Sequence, residues 1–165
     1  MAFTNSDSIV ATDLNNMLRG LVRDNTDRAV TGTTNETDLS SQTITGGAIT
    51  ATGGLLVVAA GTVTGAAGTK RIRLYFGATA IADTTAVSGT ADWYIISWIF
   101  NTATGAQRVL SIFSDPTNAT NHNMDTTTAA IDTTANVTLE VTGQLGAGGD
   151  TITQTLMDVM IIQIT

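Results

Sequence analysis

The stretch Thr90-Ala-Asp-Trp-Tyr-Ile-Ile-Ser-Trp-Ile-Phe-Asn-Thr-Ala-Thr104 is apolar through almost its whole middle. With the two-residue period of a strand, Trp93, Ile95 and Ile99 fall on one face, and Tyr94, Ile96, Trp98 and Phe100 on the other. A strand with one face in water alternates apolar and polar positions; this one needs cover on both faces, from a second sheet or from another chain. Segment 151–165 changes character along its length. Ile152 and Leu156 alternate with Thr151, Thr153 and Thr155, after which Met157, Val159 and Ile161 are matched by Met160, Ile162 and Ile164 on the opposite side. Either its end is a central strand capped by a loop, or its second face meets other subunits around a symmetry axis. A small sandwich has one dry side per sheet, which favours the second reading.

The remaining pattern predicts strands over 36–45, 54–64, 70–77, 78–86, 107–114 and 136–143, separated by Gly-rich and Thr-rich turns. The cleanest alternation places Ile72, Leu74 and Phe76 inward and Arg71, Arg73 and Tyr75 outward. Residues 115–132 are polar, contain the single Pro116, and read as a long loop. With 93–101 and 151–165 this makes about eight strands, the signature of an all-β jelly-roll or Greek-key sandwich. The domain spans 30–165.

Residues 1–29 differ. Ile9, Val10, Leu14, Met17, Leu18, Leu21 and Val22 recur at helical spacing, interleaved with Arg19 and Arg23. This predicts a short amphipathic helix over 12–21, opened by Thr12 or Asp13. A helix that short is marginal alone, so its apolar side needs a host. That host is either its own domain or a neighbouring subunit, and in the second case Leu14, Met17, Leu18, Arg19, Leu21 and Arg23 form an attachment arm.

Composition narrows the function classes. Charged residues are 13% of the chain and the net charge is −7, so solubility leans on hydroxyls; about one residue in five is Thr. An acidic chain with few Lys and Arg is a poor partner for nucleic acid. The apolar run 55–60 is too short to span a membrane, and the first residues lack a basic start followed by an apolar run, so synthesis in a cytoplasm is expected.

Candidate chemistry is sparse. There is no Cys, and the one His, His122, sits in a polar segment as a solvated loop residue. No Gly-x-Ser-x-Gly elbow occurs, and the acids lie mainly in turns rather than as a general acid/base pair. Asp158 shares the inward parity of Leu156 and Met160, which places it at an edge or beside a buried Arg such as Arg108. Lys70, Arg71 and Arg73 form a basic cluster, read as an exposed strand face or a contact to an acidic neighbouring subunit. Asp and Asn in loops, such as Asp115, Asn118 and Asp125, are oxygen donors of the type that binds Ca²⁺, but no EF-hand loop or His-Glu-x-x-His motif accompanies them. No catalytic, cofactor or metal residues are expected.

Three segments carry a family resemblance: Thr34-x-Glu36-Thr-x-Leu39 with Thr43-Ile44, Gly53-Gly-Leu55-x-Val57 with Gly61, and Gly68-Thr-Lys-Arg-Ile72-Arg-Leu74-Tyr-Phe-Gly77. Over about residues 30–165 the chain resembles the β-sandwich virion proteins of tailed bacteriophages. The resemblance implies a jelly-roll-like module, commonly trimeric, serving as capsid decoration protein, head fibre, or terminal domain of a tail fibre or spike. No catalytic residues carry over. The expectation is a non-enzymatic virion protein, most simply a trimeric decoration protein on the head, contacting the major capsid protein and needing no nucleic acid, membrane or cofactor. The expected subunit interface is Trp93, Ile95, Trp98 and Phe100 together with Met157, Val159, Met160 and Ile162. A tail or head-fibre module binding host glycans is the alternative, with 115–132 as its loop. A glycan-degrading enzyme is disfavoured by the scarcity of acids and His.

Overall fold

The computed structural model describes residues 18–65, 68–84, 89–114 and 122–163. Among them there is no helix; the chain is all-β, with eleven strands in two antiparallel sheets. In order these are β1 (Leu18–Asp24), β2 (Arg28–Thr31), β3 (Thr37–Ile44), β4 (Gly54–Thr64), β5 (Lys70–Phe76), β6 (Thr79–Asp83), β7 (Ala91–Ala103), β8 (Ala106–Ser114), β9 (His122–Ala129), β10 (Val137–Leu145) and β11 (Thr151–Ile162). The seven-stranded sheet runs β1-β11-β4-β7-β8-β9, with β2 also pairing β11; the four-stranded sheet runs β3-β10-β5-β6.

Local chemistry explains the tight connections. Gly77, with φ of 56°, and Ala78 form the two-residue link between Phe76 and Thr79, which pair directly. Such a link matches strand twist only with positive φ, which glycine supplies without steric cost. The inner faces of both sheets share one core. Leu55, Val57, Trp93, Ile95, Ile99, Met157 and Val159 come from the larger sheet, and Ile72, Leu74, Phe76, Leu139 and Val141 from the smaller. Polar side chains join the layers. Ser111 bonds Ser97 on the neighbouring strand (Oγ···Oγ 2.7 Å) and donates to the Ile81 carbonyl of the other sheet at 2.8 Å, while Ser40 donates to Gln154 Oε1 at 3.0 Å. The arrangement is β-sandwich-like.

Trp93 is the largest side chain fully buried. Its neighbour in register on β4 is Gly61, and its indole N–H reaches past β4 to the Thr153 carbonyl on β11 at 3.1 Å. A methyl group at Gly61 would collide with that same carbonyl. A bare backbone there lets three strands close around one indole.

Several expectations change. The described residues form eleven strands, against about eight predicted. Within the segment predicted as helix, residues 12–17 lie outside the described residues, whereas Leu18 and Leu21 belong to β1, a strand paired with β11. The register of β1 shifts between Gly20 and Val22. That extra residue breaks the two-residue alternation and leaves the apolar positions at a spacing that mimics a helical turn. Residues 18–24 and 28–31 are part of the larger sheet, so nothing in the described part separates an arm at residue 29. β9 occupies residues predicted as loop. It is an edge strand bonded on one side only to β8, and its run of Asn, Asp and Thr lacks the alternation that reveals a half-buried strand.

Candidate functional site

The outer face of the seven-stranded sheet is apolar over most of its length. Cross-strand register aligns its residues in rows. One row is Met160, Leu56, Trp98 and Leu110; the next is Asp158, Val58, Ile96, Ile112 and Met124; a third is Leu156, Ala60 and Tyr94; a fourth is Ile162, Gly54, Phe100 and Arg108. These side chains partly cover one another. Most are half-buried, with Phe100 at 36% and Met124 at 69% exposed. The row beyond them is polar: Thr153, Thr62 and Asp92. A four-strand apolar field of this kind is larger than the scattered apolar residues of an ordinary protein surface.

The structure divides the predicted interface residues in two. Trp93, Ile95, Met157 and Val159 are at most 1% exposed and belong to the chain's own core. Trp98, Phe100, Met160 and Ile162 lie on the outer face. Of the predicted arm, Leu14 and Met17 lie outside the described residues. The backbones of Leu18 and Arg19 pair with Ile162 and Ile161, Leu21 packs half-buried against the core, and Arg23 binds Asp158 at 3.0 Å.

The inward direction assigned to Asp158 is corrected by a bulge. The register of β11 against β4 shifts between Gln154 and Leu156. Thr155 is the extra residue, so Ile152 and Gln154 face the core with Met157, while Leu156, Asp158 and Met160 turn outward. Asp158 therefore meets Arg23 on the outer face, not a buried Arg108. In the basic cluster on β5, Arg71 lies on an exposed strand face as expected, and the acids that the cluster meets belong to the same chain. Arg71 and Arg73 both bind Asp83, Arg73 also binds Glu36 at 2.7 Å, and Lys70 is wholly buried.

Lys70 ties loops together at one end of the sandwich. Its ammonium donates to the carbonyls of Gly65, Gly68 (3.1 Å) and Gly89 (3.2 Å), and lies 3.3 Å from the Asp150 carboxylate, which is itself buried. Its donors are all aimed at oxygens, so this amine joins loop carbonyls to a buried carboxylate.

The outer face of the smaller sheet is different in kind, a hydrogen-bonded polar network. Glu36 accepts from Thr142 Oγ1 (2.5 Å), Tyr75 Oη (3.1 Å) and Arg73. Burial raises the Glu36 pKa, but hydrogen bonds from Thr142, Arg73 and Tyr75 and the Arg73 charge outweigh it, so the net shift is downward. A carboxylate whose folded pKa is depressed contributes stability above its unfolded value, and that contribution is lost as pH falls through the folded one. Urea midpoints are therefore expected to decline on acidification from about pH 6 to about pH 3, and Glu36→Gln to shallow that decline. An unchanged acid limb in the variant would show that Glu36 is not coupled to folding.

No group of three or more potential metal ligands occurs among the described residues. Of the predicted Ca²⁺ ligands, Asp115 and Asn118 lie outside the described residues. The sequence matches no protein-family model, and no curated protein matches it.

Proposed function

We propose that this chain is a non-enzymatic structural subunit that assembles with copies of itself: a trimeric decoration protein of a tailed-bacteriophage head, assembled in the host cytoplasm and seated on the major capsid protein. The observation that carries the assembly part is the outer apolar field around Trp98. An isolated sandwich would leave it in water, whereas apolar contact between copies stabilises by about 25 cal/mol per Å² buried. The virion part is supported by the resemblance of residues 30–165 to such proteins and by a Thr-rich, weakly charged composition. A shell under internal pressure is strengthened by bonds that cross subunit boundaries. Three copies on one three-fold position would add weak individual contacts through high effective concentration.

The strand order fits a Greek-key or jelly-roll reading. β4 leaves its sequence neighbours β3 and β5 to pair with β7 and β11, and β10 pairs with β3 and β5. A tail or head-fibre appendage shares the trimer and differs in its place on the particle. Copy number separates the two, hundreds for decoration and a handful for an appendage.

Native mass spectrometry tests assembly. The wild-type chain is expected as an oligomer of defined order, and Trp98→Asp as a folded monomer. A central aromatic anchor is worth about 2–4 kcal/mol at an interface, so dissociation should rise by thirtyfold or more. A wild-type chain that stays monomeric at high concentration would end the proposal.

A further inference from the structure

We infer that the contact between copies is directional: Arg108, at one end of the outer sheet face, pairs with Asp92 from the opposite end of the same face on a second copy. This rests on the assembly reading above and adds which residues meet.

The argument begins with charge accounting inside one chain. The sequence has seven Lys and Arg. The side chain of Arg19 lies outside the described residues. Five of the other six have an intrachain acid: Arg23 with Asp158, Arg28 with Asp24, Lys70 with Asp150, Arg71 with Asp83, and Arg73 with Glu36. Arg108 is the sixth. Its neighbours across the sheet are Phe100 on β7 and Thr128 on β9, neither of them an acid, and among the described residues it has no carboxylate within salt-bridge distance. In a chain with twice as many acids as bases, a guanidinium with no acid among the described residues stands out.

The same face holds one matching anion. Asp92 shares the outward parity of Tyr94, Ile96 and Trp98, is exposed, and has Thr62 as its neighbour in register. It too has no ion pair among the described residues. The only other charges facing outward on β4, β7, β8 or β11 reduce to Asp158, which Arg23 neutralises. Asp92 and the Phe100–Arg108 pair stand eight residues apart along β7, about 27 Å of strand, so they cannot meet within one chain. Between two copies they can. Head-to-tail contact brings one face's Arg108 end to the next face's Asp92 end, and such contacts close into a ring when the rotation allows.

The surface around Arg108 is slightly concave. Phe100, Arg108, Leu110, Thr126 and Thr128 line a shallow, open depression of about 440 Å³. An arriving carboxylate would find a guanidinium and Thr hydroxyls, with apolar walls around them. The surrounding field supplies most of the affinity. The ion pair sets orientation, because any packing that placed the two Arg108 or the two Asp92 together would bury like charges.

A charge swap tests this without depending on folding, since both residues are exposed. Wild type, Arg108→Glu, Asp92→Arg and the double variant would be compared by sedimentation equilibrium, with thermal unfolding as the control for fold. Each single reversal is expected to weaken assembly by about tenfold or more, and the double variant to restore it to within about threefold of wild type. If wild type assembles but either single reversal leaves assembly unchanged, the pairing is wrong while the assembly reading stands. Failure of the double variant to recover would overturn the pairing in the same way. A monomeric wild type would overturn both.

Discussion

Replacing Lys70 by Met should cost about 3–5 kcal/mol of folding stability, because it removes one partner of a buried ion pair. The side chain of Lys70 is 0% exposed and that of Asp150 1%. Its ammonium also accounts for three carbonyl hydrogen bonds, to Gly65 and Gly68 between β4 and β5 and to Gly89 before β7. Asp150 adds the connection between β10 and β11. One cation therefore holds the ends of three connections. The loss should appear as a lower urea midpoint with little change in slope. A second substitution, Asp150→Asn, made on Lys70→Met, should recover part of the loss, because it removes the charge left behind in the interior. If Lys70→Met proves as stable as wild type, the loops are held by something else.

The second large effect concerns the two tryptophans of β7, which the sequence presents as equals. Trp93→Ala is expected to destabilise the folded chain by about 3–5 kcal/mol, a large fraction of the stability of a domain this size. The substitution would leave a cavity between β7, β4 and β11 and deprive the Thr153 carbonyl of its indole donor. Trp98, five residues on, lies on the outer face, and its removal should leave unfolding of the separated subunit within about 1 kcal/mol while weakening assembly. Thermal unfolding measured alongside native mass distinguishes the outcomes. Equal destabilisation by both substitutions would mean that the outer face is not an assembly surface but a second piece of the subunit's own core.

Much of the architecture was legible because alternation is a direct readout of half-burial. Ile72, Leu74 and Phe76 face the core and Arg71, Arg73 and Tyr75 face outward, as their spacing requires. Val137, Leu139 and Val141 behave the same way on β10. The doubly apolar stretch on β7 was legible as such, and the structure places Trp93, Ile95 and Ile99 in the core and Tyr94, Ile96, Trp98 and Phe100 on the outer face. Legibility ended where a single residue interrupts the period. At β1 an extra residue made a strand look like a helical turn. At Thr155 it sent Leu156 and Asp158 to the face opposite Ile152. Lys70 was hidden for another reason. Its parity with Ile72, Leu74 and Phe76 points it inward, but what satisfies it there, backbone carbonyls from residues 65 to 89 and the distant Asp150 carboxylate, leaves no mark in the local pattern.

For the candidate interface, the sequence identified an apolar surplus on β7 and at the end of β11 but assigned it to both faces at once. Folding separated them, with Trp93, Ile95, Met157 and Val159 inside and Trp98, Phe100, Met160 and Ile162 outside.

By itself, then, the chain's pattern determined the β class, most of the strands, and the presence of more apolar surface than one sheet interior uses. Those properties depend on neighbours two residues apart, which any strand must place on the same side. Which side becomes the core was decided only by the tertiary structure. The two faces of a doubly apolar strand are equivalent until a second sheet covers one of them, and a one-residue bulge exchanges them without changing composition.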